Sequence, residues 1–254
     1  MSHIPNPIRN YYEPFLGGGA LFFELANRKT FKRAFLSDLN FELIHTYKMV
    51  REKVQPLKES LSKLPHNEEF FYQIRQKNPK ELNPVERASR FIYLNKTCYN
   101  GLYRVNSRGL FNVPFGRYKN PLICDGRNLD LCSATLSKAN LTHQSYEKIL
   151  DKAEKGDLIY FDPPYFPISK SSSFSSYEKS GFNGADHENL RDLFLALHRK
   201  HCFVVLSNSF TPFTAKLFQG LDKAIKVKIV HANRSINSVG TSRGIIQEIL
   251  VRNF

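Results

Sequence analysis

The residues with the clearest chemical meaning are Ile159-Tyr160-Phe161-Asp162-Pro163-Pro164-Tyr165. An apolar run of strand type ends in a carboxylate, two prolines and an aromatic ring. That set suits an exocyclic amine on a flat ring. The Asp162 side chain and the Pro163 carbonyl can both accept hydrogen bonds from one NH₂ group. Pro163 and Pro164 fix those acceptors at little entropic cost, and the ring of Tyr165 can stack on the amine's own ring. Held this way, the nitrogen aims its lone pair at a methyl donor. A proline turn with a capping aspartate is the bland reading of the same residues.

Two further motifs sit at positions where a chain meets a ligand. Glu13-Pro14-Phe15-Leu16-Gly17-Gly18-Gly19-Ala20 places three successive glycines after a strand and before a helix. The glycines let backbone pass close to a ligand, and the helix start adds partial positive charge; a purely structural turn explains them equally. The loop lacks the Lys-Ser/Thr ending of a P-loop, which disfavours a nucleoside triphosphate. Ser37-Asp38-Leu39-Asn40 ends another strand. An acidic residue there can accept from both hydroxyls of a ribose, while Asp or Asn can also cap the following helix. Both readings stand, and Asp38 and Asn40 can divide them.

Apolar runs at Arg33–Ser37, Asp157–Phe161 and Cys202–Leu206 are continuous rather than alternating, as expected of strands covered on both faces. Helical segments lie between them: Ala20–Asn27, Phe41–Val54, and Asp186–Lys200 with Leu190, Leu193, Phe194 and Leu197 on one face. Strands that end in polar residues and alternate with helices predict an α/β sheet with its site at the carboxyl ends of the strands. Lys226–Val230 and Gln247–Val251 are expected to pair antiparallel at one edge. From about Arg51 to Asn120 the chain changes character. It is helical and polar, with Pro56, Pro65, Pro79 and Pro84 at helix boundaries. It then becomes hairpin-like from Tyr99 to Gly109. The serine-rich stretch Ser169–Ser176 reads as a moving loop.

The whole chain has 254 residues, 41% of them hydrophobic and 24% charged, values of an ordinary globular protein. It carries 37 Lys+Arg against 23 Asp+Glu, a net +14, which points to a polyanionic partner. Residues 51–120 alone hold a net +8, and Phe91–Asn120 has five basic residues and no acidic one, so the polyanion contact is assigned there. No apolar run is long enough to span a membrane. The start has no apolar stretch of signal-peptide type. Cys98, Cys124, Cys132 and Cys202 form no CxxC pair and read as reduced thiols of a cytoplasmic protein, with no metal site.

Taken together, these motifs resemble the Dam-type (D12 class) adenine-N6 DNA methyltransferases that methylate GATC. The resemblance runs through Glu13–Ala20, Asp38, Asn100-Gly-Leu-Tyr-Arg-Val-Asn106, Phe111-Asn-Val-Pro-Phe-Gly-Arg-Tyr-Lys119, Asp162–Tyr165, Ser207-Asn208 and Arg234–Arg243. It implies an α/β, Rossmann-like methyltransferase domain (1–50 and 135–254) on a mixed seven-stranded sheet. A target-recognition, DNA-binding insertion (51–134) interrupts it. It implies S-adenosyl-L-methionine (SAM) as cofactor, bound by Phe15, Gly17, Gly19, Asp38, Ser145, Tyr146 and Asp162. Asp162, Pro163, Pro164 and Tyr165 become the catalytic set, acting on a base flipped out of double-stranded DNA. Arg104 matches a guanine-reading arginine. Tyr99, Asn100 and Leu102 match residues that enter the gap left by flipping or touch neighbouring bases, and Asn106 and Pro114 belong to the same DNA-facing hairpin. Arg117 and Lys119 match phosphate contacts, although a solvated basic face would look the same. The Ser169–Tyr177 loop resembles one that orders over the flipped base.

One departure from the pattern stands out. Dam-type chains carry a Lys-Trp-x-Gly-Gly-Lys segment ahead of Glu-Pro-Phe. Only 12 residues precede Glu13 here, and the chain has 12 Tyr and 21 Phe but no Trp. A start placed too late is the favoured explanation, ahead of a shortened chain or an impaired relative. The alternative function is therefore a DNA-binding protein that no longer methylates. Methylation of an RNA base or a protein amide ranks below both, since those substrates would not need the Tyr99–Lys119 hairpin. A cognate restriction endonuclease, and so a restriction-modification role, fits the family, and a monomer is the default for a protein reading one duplex.

Overall fold

A computed structural model describes residues 4, 5, 7–168, 182–233 and 245–254. The Ser169–Tyr177 loop and the Arg234–Arg243 stretch lie outside the described residues. The chain forms two compact units, Met1–Leu39 with Lys138–Phe254, and Asn40–Ser137. The second begins earlier than the expected boundary at 51, because helix Phe41–Glu52 belongs to it.

The first unit is built on a seven-stranded sheet with the order β3-β2-β1-β4-β5-β7-β6. Its strands are β1 (Asn10–Glu13), β2 (Arg33–Asp38), β3 (Ala139–His143), β4 (Leu158–Phe161), β5 (Phe203–Ser209), β6 (Lys226–Asn233) and β7 (Ile245–Arg252). The first five run parallel, while β7 is antiparallel to both β5 and β6. The two expected edge strands do pair, with β7 inserted beside β5 and β6 left outermost. Connections from β1 step outward one way through β2 and β3, and β4 starts the other way. The switch point therefore falls between β1 and β4, where a crevice opens at the carboxyl ends.

Helix α1 (Ala20–Asn27) starts at Gly19, which caps it in a left-handed conformation with φ 64 and no side-chain bond. Leu190, Leu193, Phe194 and Leu197 of a later helix, Gly184–Arg199, share a core with Ile159 and Phe161 of β4, Val204 and Leu206 of β5, and Ile249 and Val251 of β7. The one-sided leucine pattern is thus the face that the sheet covers, and each such side chain contributes about 1.5–3 kcal/mol on burial.

In the second unit the expected helix Phe41–Val54 forms but ends two residues early. Lys53 leaves helical geometry at φ −138, ψ 39, so α2 (Phe41–Glu52) ends there and α3 (Val54–Ser62) begins. They are followed by α4 (Glu68–Gln76), α5 (Pro84–Thr97) and α6 (Gly126–Leu136). Asparagines begin three of them. Asn40 accepts from Leu43 N (3.3 Å) and Asn67 from Phe70 N (2.8 Å), while Asn83 and Glu86 form a capping box with Pro84 at the first position. Asn40 is thus the cap of α2. Glu42 of α2 holds Arg87 of α5 in a forked pair, with Nε at 2.9 Å from Oε2. Phe71, Ile74, Tyr93, Leu94 and Cys98 pack with Phe111 and Val113 in this unit's own core. Arg90, only 5% exposed, donates to the carbonyls of Ile74 (2.9 Å) and Arg75 (2.8 Å), satisfying the open end of α4.

Candidate active site and nucleic-acid interface

In the first unit, four parallel strands deliver the predicted residues to one end of the sheet. β1 pairs with β4 through Tyr11↔Leu158 and Tyr12↔Ile159, so the Glu13-Pro14-Phe15 turn and the Asp162-Pro163-Pro164-Tyr165 turn leave neighbouring strands. Asp38 ends β2 opposite His143 of β3, and Ser145 and Tyr146 follow directly.

The glycine turn is tied to β2. Gly17 N donates to Asp38 Oδ2 (3.0 Å) and Leu16 N to Ser37 O (3.0 Å). Gly17 sits at φ 46 with open space where a side chain would point, and that backbone conformation explains the glycine. Of the two residues at this strand end, Asn40 takes the capping role, while Asp38 accepts from the glycine turn. Phe15 stacks on Tyr146 with ring centroids 5.1 Å apart and meets Phe182 edge-on at 5.8 Å. Tyr146 is 5% exposed, and its hydroxyl has no hydrogen-bond partner among the described residues. Ser145 donates to Glu147.

Pro163 is buried, while Asp162 and Pro164 face solvent at the mouth of the crevice. Neighbouring protein still displaces much of the water around the Asp162 carboxyl and raises its pKa, against hydrogen bonds from Ser207 and Tyr165 that lower it. Ser207 Oγ lies 2.7 Å from Asp162 Oδ1, and the Tyr165 hydroxyl donates to Glu248 at 3.4 Å. Asn208 Oδ1 accepts from Phe166 N (2.9 Å), anchoring the chain after the Pro-Pro-Tyr turn, and its amide meets His187 Nδ1 at 3.3 Å. Burial pushes His187 down to about 4, which keeps it a neutral partner. Glu13 is 2% exposed, and loss of hydration pushes its carboxyl up to about 8.

The second unit carries the DNA-facing candidates. Tyr99, Leu102, Arg104, Asn106, Pro114, Arg117 and Lys119 are exposed, and Asn100 is half-buried. The expected hairpin is held by few backbone bonds. Tyr99–Gly101 is a single 3₁₀ turn, and isolated bridges join Val105 to Phe111 and Cys98 to Phe115. Tyr99 N donates to Pro114 O (2.8 Å) and Gly116 N to Thr97 O (2.8 Å). Asn106 Oδ1 closes the tip by accepting from Arg108 N and Leu110 N, both at 3.0 Å, which gives that residue a structural task. Arg104 Nε donates to Asn112 Oδ1 (2.8 Å), which holds one edge of its guanidinium. Asn100 (φ 54) and Arg117 (φ 49) take left-handed backbone, an uncommon state for arginine that marks a site set by its surroundings.

In the sequence Tyr160 reads as a strand residue and Ser207 as one member of a Ser-Asn pair. Their relation to Asp162 depends on which strands are neighbours, and no local spacing carries that.

An open, mostly parallel sheet with an inserted antiparallel strand, and an Asp-Pro-Pro-Tyr turn beside a glycine turn at its switch point, form the architecture of a Rossmann-like methyltransferase. The family model of the D12 class N6 adenine-specific DNA methyltransferases matches residues 1–236, and the chain belongs to that family. It is 41% identical to the type II methyltransferase M.MjaIII of Methanocaldococcus jannaschii, covering 97% of this chain and 89% of the relative. Identity is 39% to the type II methyltransferase M1.LlaDCHI of Lactococcus lactis subsp. cremoris, over 99% and 88% of the two chains. It is 34% to the DNA adenine methylase of Escherichia coli K12, over 94% and 84%. No described helix is long and apolar enough to cross a membrane.

Proposed function

We propose that this chain transfers the methyl group of SAM to N6 of adenine in double-stranded DNA, at GATC, after turning that base out of the duplex. The observation that carries this reading is the Asp162-Pro163-Pro164-Tyr165 turn, which follows β4 at the switch point with a carboxylate at the mouth of the crevice. Adenine N6 faces its pairing partner inside the helix, so the base must be extruded at a cost of a few kcal/mol. Stacking on Tyr165 and phosphate contacts from Arg117 and Lys119 offset that cost.

The residues around the glycine turn fit SAM. A carboxylate (Asp38) stands at a strand end for ribose hydroxyls, Phe15 and Tyr146 supply an aromatic wall, and the Tyr146 hydroxyl is a buried polar atom lacking a protein partner among the described residues. Gly17 and Gly18, with open space where a side chain would point, keep the backbone open beside them. When bound, SAM supplies an electrophilic methyl carbon on a sulfonium leaving group. Asp162 and the Pro163 carbonyl hold the amine in line, and the carboxylate offsets positive charge growing on N6. Asp162 acts by orientation and charge more than as a strong base. Arg104, held on one edge by Asn112, presents its guanidinium to a guanine edge.

Asp162→Ala is expected to abolish methyl transfer to a GATC duplex while duplex binding, followed by fluorescence anisotropy, persists. Turnover near the native rate would remove the assignment.

A further inference from the structure

The Asp162 carboxylate does not stand alone. On the neighbouring strand β5, Ser207 is 6% exposed and places Oγ 2.7 Å from Asp162 Oδ1. The hydroxyl of Tyr160, on β4, lies 3.0 Å from the same Ser207 Oγ. The ladder sets this geometry, since Tyr160 pairs with Val205 and Phe161 with Leu206 in register.

We infer that Ser207 and Tyr160 are positioning residues for methyl transfer, forming a chain from the Tyr160 hydroxyl through the Ser207 hydroxyl to Asp162 that fixes which carboxylate oxygen meets the substrate amine. The inference rests on the role proposed above for Asp162. Its logic is a count of protons. A serine hydroxyl has one proton to give, and an ionised carboxylate can only accept. The proton of Ser207 therefore goes to Asp162 Oδ1, and its longer approach to Phe161 O, at 3.5 Å, is the lesser alternative. Tyr160 must then be the donor in its bond to Ser207. Burial and the Asp162 charge both raise the pKa of that phenol, so it keeps its proton at any working pH. The shortest of the Ser207 contacts is the one to the carboxylate, so the carboxylate plane is set before substrate arrives. Oδ1 already accepts from Ser207, which leaves Oδ2 the freer oxygen for the amine.

The chain also supports the charged form of Asp162. Burial pushes the carboxyl toward protonation and the Ser207 bond opposes it. The other ionisable groups coupled to Asp162, Tyr160, Tyr165 or Glu13 are Glu13 and Tyr11 on β1, Tyr165 in the turn itself and Glu248 on β7. Of these, Tyr165 also hydrogen-bonds the carboxylate and lowers its pKa, but less than Ser207 does. Loss of that bond should free the carboxylate to rotate and raise its pKa.

The test is single-turnover methylation of a GATC duplex at saturating SAM, from pH 5 to 9, with Ser207→Ala, Ser207→Thr, Tyr160→Phe and the Ser207→Ala/Tyr160→Phe double variant. Ser207→Ala should slow the chemical step about 10- to 100-fold, the worth of a hydrogen bond to a charged group. KM for DNA and for SAM should stay within about two-fold of the parent, since this bond touches neither in the ground state. The acid limb of its pH profile should move to higher pH. Tyr160→Phe should have a smaller effect of the same kind. The double variant should be no slower than Ser207→Ala, because the two groups act in series. Ser207→Thr keeps a hydroxyl and should restore most of the rate. An unchanged rate and acid limb in Ser207→Ala, or a Ser207→Thr as slow as Ser207→Ala, would overturn the inference. If Ser207→Ala does not fold, judged by circular dichroism and SAM binding, Tyr160→Phe decides by the same acid-limb criterion. Asp162→Ala run in parallel separates the two readings. A dead Asp162→Ala beside an unaffected Ser207→Ala removes only this inference, whereas an active Asp162→Ala removes the proposed role of Asp162 itself.

Discussion

Glu13 illustrates how much one side chain's surroundings decide. Its carboxyl is 2% exposed, accepts from the Tyr11 hydroxyl at 2.8 Å, and is pushed from 4.5 up to about 8 by lost hydration. Between those values the folded chain keeps the proton and the unfolded chain releases it. Unfolding then frees a proton, so stability must fall as pH rises through that window. The slope is at most about 1.4 kcal/mol per pH unit. Below pH 4.5 and above about 8 this residue adds no pH dependence. Glu13→Gln should flatten the melting temperature between pH 5 and 8, measured by differential scanning fluorimetry, and an unchanged slope would place the dependence elsewhere. Keeping Glu13 protonated also spares the crevice a second negative charge near Asp162. Arg104 is the second residue with a sharp expectation. A bidentate contact to guanine discriminates by about 1–3 kcal/mol. Arg104→Ala should therefore relax sequence choice at one base pair of the target, read by methylating duplexes substituted at each position. A pattern as strict as the parent's would take the readout role away from it. Asp162 and Arg104 were legible in the sequence because a short motif carries them. The Tyr160–Ser207 chain was not, because it exists only once β4 and β5 are side by side.

At the scale of elements, the hairpin after α5 depends on one close approach. A methyl group on Gly116 would lie 2.6 Å from the Cys98 carbonyl oxygen and 2.6 Å from the Tyr118 ring. Backbone cannot yield there without parting the Cys98–Phe115 bridge. Gly116→Ala should loosen the hairpin and weaken duplex binding at least about 10-fold, consistent with the 1–3 kcal/mol typical of overpacking, while SAM binding by calorimetry stays intact. Parent-like DNA affinity would show that the hairpin is not fixed through this contact. The sequence announced the elements with strong signals. The runs Asp157–Phe161 and Cys202–Leu206 read as buried strands and contain β4 and the first part of β5, and Ala20–Asn27 appears with the expected bounds. It was silent where the signal is weak. β3, Ala-Asn-Leu-Thr-His at the sheet edge, shows the burial pattern of a half-exposed strand. α6 opens on Gly126 and leaves Leu131 60% exposed, so its apolar face is thin. The break at Lys53 between α2 and α3 is signalled only by Pro56 in the first turn of α3, which marks a boundary nearby without fixing its position.

For the whole molecule, the +14 net charge has a place and a consequence. Residues 40–137, the second unit, hold a net +7 in well under half of the chain. Each phosphate contact releases counterions and adds about −0.9 to the slope of log affinity against log salt. Arg117→Ala and Lys119→Ala, titrated with duplex between 50 and 200 mM salt, should each reduce that slope by about 1 and weaken all sequences alike. An unchanged slope would make them a solvated basic face. The central claim concerns the product. Plasmid DNA bearing GATC sites, incubated with the chain and SAM, digested to nucleosides and separated by mass spectrometry, should yield N6-methyladenine, confined to GATC when the sites are mapped. Methyl groups on cytosine, or no methylated base from a chain that binds both SAM and the duplex, would contradict it.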